Sequence, residues 1–208
     1  MKIIDVEKWN RKEHFEFFSK RDNPFFGIVT EMDVSKAYNF AKKNQVSFFA
    51  YYMYQSLRAV NRVEAFKYRI QDGKVVCFDT IHAGSTLLRT DTTFAFSFIP
   101  FSENFEIFNQ NLHQEIQEIE QSTGLRASSK TNRADQIYYS AIPWIKFTGL
   151  THAKDMGNAD SVPKISFGKL YEKDQKKMLP MSVDVHHGLM DAFHVGQYVE
   201  EFQKLLFE

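Results

Sequence analysis

Hydrophobic and polar positions recur in two rhythms along this chain, and their order predicts its elements. Near the C-terminus Met181, Val183 and Val185 alternate with Ser182 and Asp184, the period of two expected of a half-buried strand. That parity predicts His187 on the apolar face and His186 on the polar one. Val195, Tyr198, Val199, Phe202, Leu205 and Leu206 then recur at steps of three and four, which predicts an amphipathic helix. Two histidines and the carboxylate of Asp191 therefore fall where a strand turns into a helix. Such a junction can hold an imidazole rigidly and point it into a cleft.

The same reading covers the rest of the chain. Val6 to Arg21 reads as a helix stopped by Asp22-Asn23-Pro24, since proline disfavours helical geometry in the residue before it. Phe25 to Asp33 reads as a strand. Ser35 starts a short helix to about Asn44, and Ser47 starts an aromatic-rich one to about Arg62. Phe66 to Asp79 reads as a hairpin about Asp72-Gly73, a favoured turn pair. A further strand pair is expected over Ser85 to Ile99, turning near Thr90-Asp91. Ser102 is expected to cap a long helix with Phe105, Phe108, Leu112, Ile116 and Ile119 on one face, closed by Gly124. Leu125 to Gln136 and Thr151 to Pro163 read as loops. Ile137 to Ala141 and Ile145 to Leu150 read as strands flanking Pro143-Trp144. The last strands, Ile165 to Tyr171 and Met178 to His187, enclose the charged turn Glu172 to Lys177. Helices and strands mix without regular alternation, so the fold class is mixed α/β and not a doubly wound parallel sheet.

Composition narrows the function. At 208 residues the chain suits one domain. Lysine plus arginine equals aspartate plus glutamate, 26 each, and with no basic tract a nucleic-acid partner is not expected. The 21 phenylalanines are an unusual load; most read as core filling, and a few are candidates to line a pocket for a flat apolar acceptor. Cys77 is the only cysteine, which excludes an intrachain disulfide and fits a reducing cytoplasm. It sits in an apolar run and reads as a core residue, with a cysteine nucleophile as the alternative. No signal peptide and no membrane span are expected, and no Gly-rich phosphate-binding loop is present.

A neutral imidazole titrates near neutral pH and can act as a general base when its orientation is fixed. Asp191 lies close enough to His187 to fix that turn directly or through another charge. The plainer alternative makes His187 a core histidine and Asp191 the cap of the final helix. His186, His187, Asp191 and His194 are also possible metal ligands, but adjacent strand residues face opposite ways and no zinc-site spacing occurs, so no metal is expected.

The segment His186-His187-Gly188-Leu189-Met190-Asp191-Ala192-Phe193-His194 resembles the signature of the chloramphenicol acetyltransferases, with Ala192 where the family has glycine. Trp9-Asn10-Arg11-Lys12-Glu13-His14-Phe15 is similar to the family's opening, and Ser140-Ala141-Ile142-Pro143-Trp144 to its Ser-x-x-Pro-Trp segment. Ser166-Phe167-Gly168-Lys169 and Leu179-Pro180-Met181-Ser182-Val183 follow in family order. The matches span nearly the whole chain.

The resemblance implies a CoA-dependent acyltransferase fold, a two-layer sandwich of a mixed sheet flanked by helices. It implies an O-acetyltransferase that moves acetyl from acetyl-CoA to a hydroxyl of chloramphenicol, an antibiotic-resistance activity, without an acyl-enzyme. By the same resemblance His187 is the general base, Ser140 the oxyanion donor, and Ser166 stands where the family has a water-orienting threonine. Asp191 and Arg11 match an ion pair that fixes the site. Lys169 matches a basic position near the cofactor channel, and Phe18 and Phe26 line the acceptor pocket. A cytoplasmic homotrimer with active sites between subunits is implied. A different hydroxyl or amine acceptor, or a non-catalytic trimeric binding protein of the same fold, are the alternatives. If the family glycine serves a positive φ, Ala192 is strained; if it serves close packing, a methyl costs less.

Overall fold

The computed structural model describes residues 1–153 and 160–208. Its large sheet runs in the order β2 (Phe25–Asp33), β10 (Lys176–His186), β8 (Lys164–Phe167), β7 (Gln136–Ala141), β5 (His82–Leu88) and β6 (Phe94–Ile99), with β9 (Tyr171–Lys173) paired to β10. β5, β7 and β8 run parallel and the other pairs antiparallel, so the sheet is mixed. A small antiparallel sheet joins β1 (Lys2–Ile3), β4 (Lys74–Cys77) and β3 (Tyr68–Gln71). The helices are α1 (Lys12–Phe18), α2 (Ser35–Lys43), α3 (Phe48–Arg62), α4 (Phe105–Glu120) and α5 (Ala192–Leu205).

β10 is the spine of the large sheet. It pairs with β2 over Met178↔Asp33 to His186↔Phe25 and with β8 over Met181↔Phe167 to Asp184↔Lys164. Flanked on both edges, it is buried on both faces from Leu179 to His186. Here the expectation of a half-buried strand is corrected, because Ser182, Asp184 and His186 are covered as fully as Met181, Val183 and Val185. The polar residues of the alternation mark a second buried face.

α3 and α5 cover the face that carries Met181, Val183 and Val185. Tyr198 on α5 buries its ring against Phe66, and Phe202 meets Phe167 of β8. Tyr52 on α3 also meets Phe167. The hydroxyl of Ser56 lies 2.9 Å from that of Tyr139 and 2.7 Å from that of Tyr198, tying β7 to both helices with each buried hydroxyl satisfied.

Several local signals act as the sequence predicts. Ser47 accepts the Ala50 N–H at 3.3 Å to start α3. Asp72 and Gly73 take φ of 49° and 71°, the paired positive values of the tight hairpin turn. α4 starts two residues later than predicted, because Ser102 accepts the Asn104 N–H while the Asn104 side chain caps the helix.

Three stretches differ, the first at Ile165 to Lys177, where β8 stops at Phe167, β9 begins at Tyr171 and the charged turn shrinks to Asp174-Gln175. The predicted helix over Val6 to Arg21 breaks into a single turn at Val6–Lys8 and then α1. Trp9 leaves the helical path to pack edge-on against Tyr68 at 5.3 Å, and Arg11 takes non-helical angles that turn its guanidinium inward. Ile145 to Leu150 is not a strand. On either side of Pro143-Trp144 the chain is held at isolated points, Ile142 N–H to Phe167 O before it and Lys169 N–H to Ile145 O after it, with Phe147 filling the space beside Gly168. Of the loop predicted over Thr151 to Pro163, residues 154–159 lie outside the described residues.

Candidate active site

β10 ends at His186, and the His187 N–H prolongs its pairing with a 2.8 Å bond to Pro24 O. The chain then folds back on His186, whose carbonyl accepts from Leu189 at 3.0 Å and Met190 at 3.2 Å. The Gly188 N–H donates to His186 Nδ1 at 3.1 Å. A Cβ at position 188 would sit 3.0 Å from His186 Cε1 and 3.3 Å from Phe15 Cα, so glycine serves close packing here.

Arg11 joins this turn to α5. Its Nη2 donates to the His187 carbonyl at 3.2 Å, and its Nη1 to Asp191 Oδ2 at 2.7 Å. Asp191 also caps α5, accepting the Phe193 N–H at 3.0 Å, and its Oδ1 lies 2.9 Å from His194 Nδ1. Burial works to raise the Asp191 carboxyl, but hydrogen bonding from Arg11 and the charges of His194 and Arg11 outweigh it and bring the pKa down to about 2. The carboxylate is therefore both the helix cap and, through Arg11, a fixing point for the His187 backbone. It reaches the turn through another charge and not through the imidazole.

The His187 ring stacks on Phe18 with centroids 3.9 Å apart and planes at 10°, and meets Phe26 at 4.5 Å. Its Nδ1 is buried with no hydrogen-bond partner among the described residues. Two aromatic faces set the ring plane in place of a polar partner. His186, 3% exposed, meets Phe25 edge-on. Burial, only partly opposed by the field of Asp160, takes its pKa down to about 4, so this ring is neutral at pH 7.

Ser140 lies elsewhere on the sheet. It pairs in register with Ser166, which pairs with Ser182 of β10, placing three serines in one row across one face. Thr86 on β5 donates its hydroxyl to Ser140 Oγ at 3.4 Å, which leaves the Ser140 O–H available as a donor. Ser166 is fully buried and its Oγ has no partner among the described residues. Ser140 and Thr86 line a cleft of about 1270 Å³ with Phe94, Phe96, Tyr138 and Trp144.

One chain does not bring His187 and Ser140 together. From Ser182 the strand must advance five residues to His187, about 16 Å at strand rise, and β7 lies two strand spacings away, about 10 Å. The Cα atoms are thus separated by about 19 Å, more than the two side chains can span. The faces differ as well, since His187 packs with Phe26, the partner of Val185, while Ser140 shares the face of Ser182.

Of the remaining candidates, Phe18 and Phe26 touch the imidazole, whereas Lys169 is exposed just beyond β8. Burial raises the Cys77 thiol, which makes it a poor nucleophile at neutral pH. Among the described residues no three His, Cys, Asp or Glu side chains group to hold a metal ion. Ala192 opens α5 and is not among the residues of positive φ, so the methyl brings no backbone strain. Thr86 was invisible in the sequence, because only the β5–β7 register places it beside Ser140. The His186–Gly188 contact was likewise hidden, although the His-His-Gly order carried a signal for it.

A family profile described as chloramphenicol acetyltransferase matches residues 1–203. A chloramphenicol acetyltransferase of Escherichia coli is 29% identical over 204 residues, covering 97% of this chain and 91% of that protein. One of Campylobacter coli is 29% identical over 206 residues, covering 98% and 97%. A solved chloramphenicol acetyltransferase superposes with a TM-score of 0.91 at 30% identity, covering 99% of both chains.

Proposed function

The chain belongs to the chloramphenicol acetyltransferase family, and from that premise we propose how its residues carry out acetyl transfer from acetyl-CoA to a hydroxyl of chloramphenicol. It is an acyltransferase, with residues 1–208 forming one domain of this kind. The observation that carries the assignment of roles is the fixing of His187, whose N–H, C=O and ring are all held. A ring so placed loses little orientational freedom when it takes up a proton.

In the proposed reaction the neutral His187 imidazole removes the proton from the acceptor hydroxyl. The oxygen attacks the thioester carbonyl of acetyl-CoA, and the C=O electron pair moves onto oxygen. Ser140 donates a hydrogen bond to that oxyanion, while Thr86 donates to Ser140 and strengthens it as a donor. The tetrahedral intermediate then collapses, the C–S bond breaks, and the CoA sulfur takes the proton back from His187. Ser166, with its unsatisfied buried hydroxyl, suits the holding of an ordered water. Lys169, exposed just beyond β8, would meet a phosphate of the cofactor.

The site is completed between copies of the chain in a homotrimer, with His187 of one protomer facing the Ser140 cleft of the next. The distance and the opposite faces that part the two residues within one chain support this arrangement. Phe18 and Phe26 supply apolar surface beside the base, and Phe94, Phe96 and Trp144 supply it in the cleft, which suits a flat acceptor.

Free-thiol release from acetyl-CoA, with and without chloramphenicol, tests the reading against His187→Ala. Chloramphenicol-dependent release that vanishes in the variant is expected. Release with other alcohols or amines alone would move the acceptor to a different class. No release with any acceptor would leave a binding protein of the same fold.

A further inference from the structure

We propose that His186 is a positioning residue for the known chemistry: its unprotonated Nδ1, by accepting the Gly188 N–H, holds the turn that aims the His187 imidazole, and protonating it disables transfer. This rests on His187 being the base.

Three backbone hydrogen bonds fix the position of His187. Its N–H is bonded to Pro24 and its carbonyl to Arg11. The third bond belongs to the next peptide, whose Gly188 N–H ends on His186 Nδ1 at 3.1 Å. The first acceptor is a carbonyl and the donor at the second is an arginine, so neither changes state in the working range of pH. The third can, because an imidazole nitrogen that gains a proton becomes a donor. Two N–H groups would then face each other across 3.1 Å, and one of them must move.

The ring has little room to do so. It is 3% exposed, Phe25 lies against it, and the space on the Gly188 side is already tight. The turn moves instead, and it carries His187. The charged groups around the ring are known. Asp184 precedes it by two residues on the same strand face, and Lys164 of β8 pairs in register with Asp184. Asp160 favours the protonated ring, but its carboxylate is paired with Lys164 at 3.0 Å, and His187 opposes protonation. Phe25 and Phe15 bring no charge. Burial therefore keeps the ring neutral at the pH where His187 works, and the turn holds.

The test compares His186→Asn with His186→Leu by thiol release across pH. An asparagine carbonyl can accept the N–H two residues on, as in an Asx turn, and it does not titrate. His186→Asn should keep kcat near the wild-type value at pH 8. His186→Leu, folded by circular dichroism, should lose kcat on the order of 10²-fold, the cost of a misplaced base, with KM for acetyl-CoA unchanged. In the wild type kcat should fall through an acid break that His186→Asn lacks. Equal loss in both variants, or equal activity in both, would show that the ring only fills space and would overturn the proposal. Should His186→Leu fail to fold, the break in His186→Asn decides alone, and its persistence sinks the idea. Full activity in His187→Ala would instead refute the base itself, whatever happens at 186.

Discussion

Around His187 a 2.8 Å bond to Pro24, an arginine on the carbonyl and two aromatic faces leave the ring one orientation. Ser140 sits on a strand paired on both sides, but its hydroxyl has among the described residues one contact, 3.4 Å to Thr86, beside an open cleft. The proposed base is preset by its own chain, whereas the proposed oxyanion donor waits for a substrate to draw it in. A proton acceptor must be aligned before reaction begins, but a donor to a charge that exists only in the transition state can tighten as that charge forms.

The contrast breaks most visibly at the donor. Ser140→Ala should cut kcat by about 10²–10³-fold while the fold survives, because alanine keeps the β7 ladder and only the contact to Thr86 is lost among the described residues. Co-expressed Ser140→Ala and His187→Ala chains should recover activity that neither has alone, since some sites in a mixed oligomer receive both intact residues. No recovery would mean that base and donor act within one chain. On the base side the same kind of truncation should cost stability. Arg11→Ala leaves the Asp191 carboxylate without its main partner, and a loss of about 2 kcal/mol in denaturant unfolding is expected, with turnover falling alongside.

Acid should sharpen the difference further. His186 has its pKa lowered to about 4, against about 6.5 in an unfolded chain. The native state thus binds fewer protons over that interval, and the stability this group contributes is full above pH 6.5. It is lost as pH falls toward 4, by up to about 3 kcal/mol. Asp191 acts in the same direction at lower pH, as its carboxyl protonates below the ordinary range toward about 2. A thermal melt series from pH 7 to 4 reads the first effect, and His186→Asn should flatten it. The smallest effect is expected at Ala192→Gly. The helical angles and exposed side chain of this residue predict unchanged turnover and a stability loss below about 1 kcal/mol. A large gain in activity would show that the methyl obstructs something in the assembled enzyme.

Local chemistry made much of the fold legible. Ser47 capping α3, the Asp72-Gly73 turn and the limits of β2 all follow from side chains acting on their own backbone. Interactions between distant residues did not show. The helix expected at Val6 fails because Trp9 prefers Tyr68 and Arg11 prefers Asp191, more than a hundred residues away. The strand expected at Ile145 fails because among the described residues no neighbouring strand offers it a ladder. At the site, the His-His-x-x-x-Asp spacing pointed to the turn, and Arg11 supplied the partner that resemblance suggested. Thr86 beside Ser140 depends on strand register, which no local pattern encodes.

The pairing of β2 with β10 has a consequence for biogenesis. Among the described residues β2 forms a ladder with β10 alone, and its last residue is also bonded to Gln203, 170 positions onward. A ribosome makes Phe25, Phe26, Ile28 and Val29 first and supplies their companion β10 only after all the intervening strands and helices. Until then a sticky edge waits unprotected, exposed to aggregation and slow to close. Nascent chains should therefore lean on chaperones until β10 emerges and acquire catalytic competence only once that ladder closes.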